Sequence, residues 1–209
     1  MNADFFANHP FWSDFFAHVR THIVLAASAL AVAVLVGIPL GTLSARKRAV
    51  RPSILAAVNT ARVIPSLTVL MLMLPLIGLG TFPAIVALTI LAIPPIVVNT
   101  DLGLRSVPTA LVDAAKGLGM TAEQLARRVE WPLAFPVAFA GIRTASVEVI
   151  ASATLAAFIG GGGLGDYITS GLSTDDTGAL LLGSVSVALM ALIVDAVLGA
   201  VQRRMRAAT

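Results

Sequence analysis

The feature that most constrains this chain is a succession of apolar runs, each free of charge for long enough to cross a membrane. Ile23 to Leu43 is the cleanest. A helix of that length spans the roughly 30 Å of bilayer hydrocarbon, where every backbone polar group must be satisfied within the chain. Further runs occupy residues 54–79, 82–100, 133–159 and 179–201. Only 12% of residues are charged, against about 25% in an ordinary soluble domain, so the expected class is an all-α membrane protein with five spans. The absence of cysteine excludes disulfide frameworks, thiol catalysis and Cys-ligated metals.

Basic residues give the orientation. Arg46, Lys47, Arg48 and Arg51 follow the first span, and Arg203, Arg204 and Arg206 follow the fifth. With the N-terminus outside, 13 of the 14 Lys and Arg lie at or near cytoplasmic positions, leaving Arg20 outside. Their place beside apolar spans argues against a nucleic-acid partner. Residues 1–20 are aromatic, with Phe11, Trp12, Phe15 and Phe16 on neighbouring helical positions. Lacking a basic leader, they read as a short interfacial helix rather than a signal peptide. His18 and His22 have a metal-compatible i, i+4 spacing, but no Glu or third ligand accompanies them, so no metal is expected.

One long segment between spans, residues 105–132, is polar. Leu111, Ala114, Ala115 and Leu118 share a helical face, and Gly119 is suited to end that helix in the left-handed region. Thr121 and Gln124 have capping-box spacing, and Pro132 suits the start of the next span. Two short helices at a corner are expected.

The spacing of Asp113-Ala114-Ala115, Gly119, Val129 and Trp131-Pro132 resembles the coupling motif of ABC importer permeases, with Asp for Glu, Val for Ile and Trp for Leu. The resemblance implies the type I ABC importer permease fold, a domain over residues 21–206, and a cytoplasmic two-helix coupling loop docked on a separate ATPase subunit. It also implies a second permease copy or related chain, an extracytoplasmic substrate-binding protein and a bilayer setting. ATP would be used by the partner subunit, with no cofactor and no catalytic residue in this chain.

Across residues 20–206 the resemblance narrows. Ile64-Pro65-Ser66-Leu67, Leu76 to Thr81, Pro94 to Thr100 and Gly141 to Ala145 look like the osmoprotectant branch, importers of glycine betaine, choline and carnitine. Methionine-importer permeases are the alternative. An intramembrane enzyme would need a convergent catalytic set that the sequence does not display, and a passive channel would not need the polar loop. Phe82, Phe135, Phe139 and Phe158, the aromatics within the spans, make no evident cage for a quaternary ammonium.

Charges inside spans are expensive and mark functional positions. Asn99, Arg143 and Glu148 are therefore candidates for the translocation path or gate, with Arg62, Asp195 and Asn99 as possible partners for the two charges. The glycine element Gly160, Gly161, Gly162, Gly163 and Gly165 satisfies G-x-G-x-x-G, but it follows a membrane span rather than a strand, which excludes dinucleotide binding. Close backbone packing or a sharp bend at the outer face is expected instead, with Asp166 and Tyr167 placed to meet an external partner.

Overall fold

The computed structural model describes residues 9–207, and every regular element within them is helical. Phe5 and Phe6 of the aromatic segment lie outside the described residues, as does the side chain of Arg206.

Helix α1 (His9–Arg46) is 38 residues long, about 57 Å at the usual rise. The expected separate interfacial helix is, from His9 onward, simply the first turns of this rod. Nothing between Phe11 and Ile23 breaks a helix, and polar side chains there bond back along it: Thr21 Oγ1 donates to the Ala17 carbonyl at 3.0 Å. The aromatic rings pack on one another along these turns, Phe11 stacked with Phe15 and Trp12 tilted against Phe16.

The second apolar run is not straight. It forms α2 (Arg51–Ala61) and α3 (Ser66–Ile77), bent by 94° at residues 62–65. Pro65 forces the break: it cannot donate to the preceding turn, and it biases Ile64 away from helical geometry. Its own ψ of 138° leaves the helical region before α3 begins.

Helix α4 (Thr81–Arg105) is the core. It carries Pro94 and Pro95 inside it and continues beyond Asn99-Thr100-Asp101, where the apolar pattern had suggested an end. The span stays helical there because Asp101 is buried and neutralised by partners on other helices. Two helices clamp α4 through glycines. On α1, Gly37 and Gly41 face Ile96 and Thr100. On the later span, a Cβ on Gly141 would stand 2.5 Å from the Pro95 carbonyl oxygen and 2.7 Å from the Asn99 Cβ. Small residues let membrane helices pack backbone to backbone where the hydrophobic effect gives no drive. Gly141→Val is therefore expected to cost about 2–3 kcal/mol, because the obstacle is backbone that cannot swing aside. Thermal unfolding of the purified chain in detergent checks this, and an unchanged midpoint would refute the clamp.

After α4 comes α5 (Thr109–Gly117), then α6 (Ala122–Leu125), a π turn over Ala126–Glu130, α7 (Trp131–Ala153) and a 3-10 segment (Thr154–Ile159). Helix α8 (Gly165–Thr174) and the long α9 (Thr177–Ala207) complete the chain. Among the described residues, four helical stretches are long and apolar enough to cross a membrane, and five if the bent α2–α3 pair is one span. The bent pair falls on the second of the five apolar runs.

Candidate coupling site and intramembrane charges

The polar segment folds locally as its residues dictate. Helix α5 ends in a Schellman motif: the Gly119 N–H donates to the Lys116 carbonyl at 2.9 Å and the Met120 N–H to that of Ala115 at 3.2 Å. Gly119 sits at φ +79°, the left-handed position this closure requires. The next helix opens with the full capping box. The Thr121 N–H donates to Gln124 Oε1 at 2.9 Å, and the Gln124 N–H to Thr121 Oγ1 at 3.3 Å.

The second arm differs from expectation. It is not a separate short helix, and Pro132 does not start a new one. Residues 122–159 run on as one helical rod. The missing N–H of Pro132 is absorbed just upstream, where the Trp131 N–H reaches back to the Ala126 carbonyl and opens a π turn. The polar segment is thus one short helix, a glycine corner and the continuation of a span.

Its surface is unusual. Of the apolar stripe on α5, only Ala115 is buried. Leu111, Ala114 and Leu118 are exposed, Leu118 by 81%, and Asp113 is exposed beside them. Val129 and Trp131 are half-buried and Pro132 is exposed. The base of this segment is anchored by Arg46, which donates to Glu130 Oε2 at 2.8 Å and so joins the end of α1 to the rod.

Within the bundle the charges sort into pairs. Arg143 forms a two-pronged bond with Asp195, 2.7 Å from Nε to Oδ1 and 2.6 Å from Nη2 to Oδ2, tying α7 to α9. Gly199 makes room for the guanidinium, which a Cβ there would touch at 3.0 Å. Asn99 donates from Nδ2 to the Pro95 carbonyl of its own helix at 2.8 Å. Asp101, nearly fully buried, accepts from Ser44 Oγ at 2.8 Å, from Arg51 Nε at 3.1 Å and from Arg51 Nη2 at 3.0 Å. Sequence reasoning missed this last network, which joins α1, α2 and α4; its only trace was a lone acid beside a basic cluster fifty residues away.

Glu148 behaves differently. Together with Arg62 it lines a cavity of about 210 Å³ at the α2–α3 break, walled by Pro65, Leu91 and Pro94. Asn99 and Arg143, the other two path candidates, do not line it.

At the other end of the bundle, several residues of the glycine element pack closely against their neighbours. Gly160, Gly162 and Gly163 all have positive φ, and a Cβ on Gly163 would press on the buried His22 ring. A Cβ on Gly161 would meet Ala156, and one on Gly165 would collide with the Thr154 carbonyl oxygen. Gly80 closes the same end by donating its N–H to the Ile159 carbonyl at 2.7 Å. The two histidines go separate ways. His22 Nε2 lies 3.0 Å from the Ile150 carbonyl, whereas His18 stands between Asp14 and Asp166, with 3.5 Å to each carboxylate. Among the described residues no His, Asp or Glu cluster is arranged to hold a metal. Tyr167 donates its hydroxyl to Asp14 Oδ2 at 2.7 Å, binding α8 to α1. Burial pushes the Tyr167 hydroxyl above its ordinary range, and the Asp14 hydrogen bond adds to the effect. Burial likewise raises the Asp166 carboxyl, against the pull of His18.

Comparison with known proteins gives consistent matches. The profile described as "Binding-protein-dependent transport system inner membrane component" matches residues 37–207. The choline transport system permease protein OpuBB of Bacillus subtilis (strain 168) is 43% identical over 184 residues, 88% of this chain and 85% of that protein. The glycine betaine/carnitine/choline transport system permease protein OpuCB of the same organism is 40% identical over 88% of this chain and 84% of its own. The osmoprotectant import permease protein OsmW of Salmonella typhimurium (strain LT2) is 40% identical over 83% of each. Among solved structures, an inward-facing MetNI methionine ABC transporter matches with a TM-score of 0.84 at 21% identity, covering 95% of this chain and 99% of that one. An amino acid ABC transporter with histidines gives 0.80 at 19% identity, over 98% and 100%. Both share the fold.

Proposed function

The chain belongs to the binding-protein-dependent transport system inner membrane components, and from that premise we propose that it imports osmoprotectants of the glycine betaine, choline and carnitine class. It is a permease component with the type I ABC importer fold, so its work is mechanical. Two ATPase subunits close on ATP, carry the coupling segments with them, and rock the spans between inward-open and outward-open states. The similarity to the choline permease OpuBB, the glycine betaine/carnitine/choline permease OpuCB and the osmoprotectant permease OsmW supports the substrate class. The MetNI methionine ABC transporter shares the fold at 21% identity.

The observation that carries the coupling role is the uncovered stripe Leu111, Ala114 and Leu118 beside Asp113. An exposed apolar patch on a polar, rigidly capped corner is the signature of a docking surface. Its occupant is the groove of a cytoplasmic ATPase subunit, with Ala115, Gly119, Val129, Trp131 and Pro132 setting the shape behind it. The gathering of Arg46, Lys47, Arg48, Arg51 and Arg203 near this end supports a cytoplasmic placement, with the N-terminus outside. The glycine element and Tyr167 then face the extracytoplasmic binding protein. A central path requires a second permease copy or a related chain.

Asp113→Lys tests the assignment. Reversing the charge beside the stripe is expected to reduce co-purification of the ATPase by about tenfold, the value of one charge-assisted contact. Undiminished co-purification would show that the ATPase binds elsewhere.

A further inference from the structure

Asp101, Glu148 and Asp195 lie on three of the helices long and apolar enough to cross a membrane. Asp101 and Asp195 are each held directly by an arginine. Glu148 is not: among the described residues no ion pair within 4.0 Å reaches it, and none reaches Arg62. Yet these two unpaired charges of opposite sign line the same cavity. Asp101 and Asp195 are thus neutralised directly, whereas Glu148 and Arg62 stand apart across an opening. A charge within a membrane span that lacks a direct partner is costly and marks a candidate ligand or ion path.

We propose that this cavity is a transient site for a small zwitterion, with the ligand's ammonium toward Glu148 and its carboxylate toward Arg62. The proposal rests on the importer reading above and names the part of the substrate class that the permease itself favours. The local backbone supports the polarity. Helix α3 starts at the cavity with Ser66, and no side chain caps it, so its first amides add positive potential on the Arg62 side. Broken membrane helices present their N-termini to anionic groups of substrates in this way. On the other wall Ser152 and Glu148 come from the single helix α7, which offers acceptors. A cavity of about 210 Å³ admits a small osmolyte and is below the range usual for drug-sized ligands. Its lining contains no aromatic ring, so it lacks the cage that gives tight quaternary-ammonium binding. The mutual attraction of Arg62 and Glu148 also competes with the ligand, which keeps affinity low and release easy.

The test uses the intact importer, with its ATPase and a binding protein that delivers both glycine betaine and choline, in proteoliposomes. ATP-driven uptake of each labelled compound is measured. Arg62→Gln is expected to lower glycine betaine uptake about tenfold while choline, which has no carboxylate, stays within about twofold of wild type. Arg62→Lys, which keeps the charge, retains glycine betaine uptake. Glu148→Gln, nearly isosteric, lowers both. Equal loss of both compounds in Arg62→Gln, or unchanged uptake of both in Glu148→Gln, overturns the site while leaving the importer reading intact. A wild-type importer that moves neither compound overturns the substrate reading above, and this site with it.

Discussion

Asp101→Ala is expected to lower the thermal midpoint of the detergent-purified chain by about 5–10 °C, equivalent to roughly 2–3 kcal/mol for a chain of this size. The carboxylate accepts from Ser44 on α1 and from Arg51 on α2 while standing on α4, so its removal unties three helices at one point. Ser44 is fully buried and loses its acceptor. Arg51 keeps its charge but loses its counter-ion. Breaking a fully buried pair costs about 3–5 kcal/mol, and the smaller figure follows because the Arg51 side chain is 32% exposed and can turn toward water. The double variant Arg51→Met with Asp101→Leu is expected to recover most of the loss, since apolar partners of similar size replace buried ion pairs with little penalty. A double variant as unstable as the single one would show that the network supplies stability outright rather than merely avoiding an unpaired charge.

This network also shows where the sequence stops being readable. The positions of the spans are legible because bilayer thickness dictates a minimum apolar length, and the five runs answer to it without any knowledge of neighbours. The corner at Gly119 and the capping box at Thr121 and Gln124 are legible because each involves residues at most five apart, with geometry set by local backbone chemistry. The Arg51–Asp101 bond has no such local trace: it joins residues on different helices, and only the packing of α4 between α1 and α7 makes it possible. Arg143 lies between these cases. Asp195 was one of three candidate partners, and the choice among them depends on Gly199 opening space for the guanidinium.

Prolines were legible as punctuation and misleading as to what they punctuate. Pro65 sits inside an apolar run long enough for one span, and the run continues across it, so the 94° bend is invisible to a length criterion. Pro132 carries the opposite error. It reads as a helix start, but the upstream π turn accommodates the lost hydrogen bond and the rod continues. Aromatic composition misled in a similar way over residues 9–20, where it speaks to the environment of the side chains and says nothing about helix continuity.

Gly119→Val is expected to abolish most ATP-driven uptake while leaving the chain folded and the ATPase bound. The separation of these effects follows from the surroundings of the glycine. A Cβ at this position meets no atom within 4 Å, so substitution creates no clash. The whole cost is conformational: a β-branched residue at φ +79° is disfavoured by about 1–2 kcal/mol or more, and the chain can relieve it only by leaving the left-handed region. Doing so breaks the bonds from Gly119 and Met120 back to α5, and the angle between α5 and the rod of residues 122–159 is lost. Leu111, Ala114 and Leu118 then remain on α5 and still present an apolar surface to the ATPase, but motion delivered there no longer reaches α7. ATP hydrolysis is expected to persist within about twofold while uptake falls at least about tenfold, the population shift that 1–2 kcal/mol produces. Gly119→Asn is the control. Asparagine tolerates the left-handed region far better than valine, so its uptake should lie near wild type. Equal uptake by the Val and Asn variants would mean that the corner is not the element that transmits the stroke.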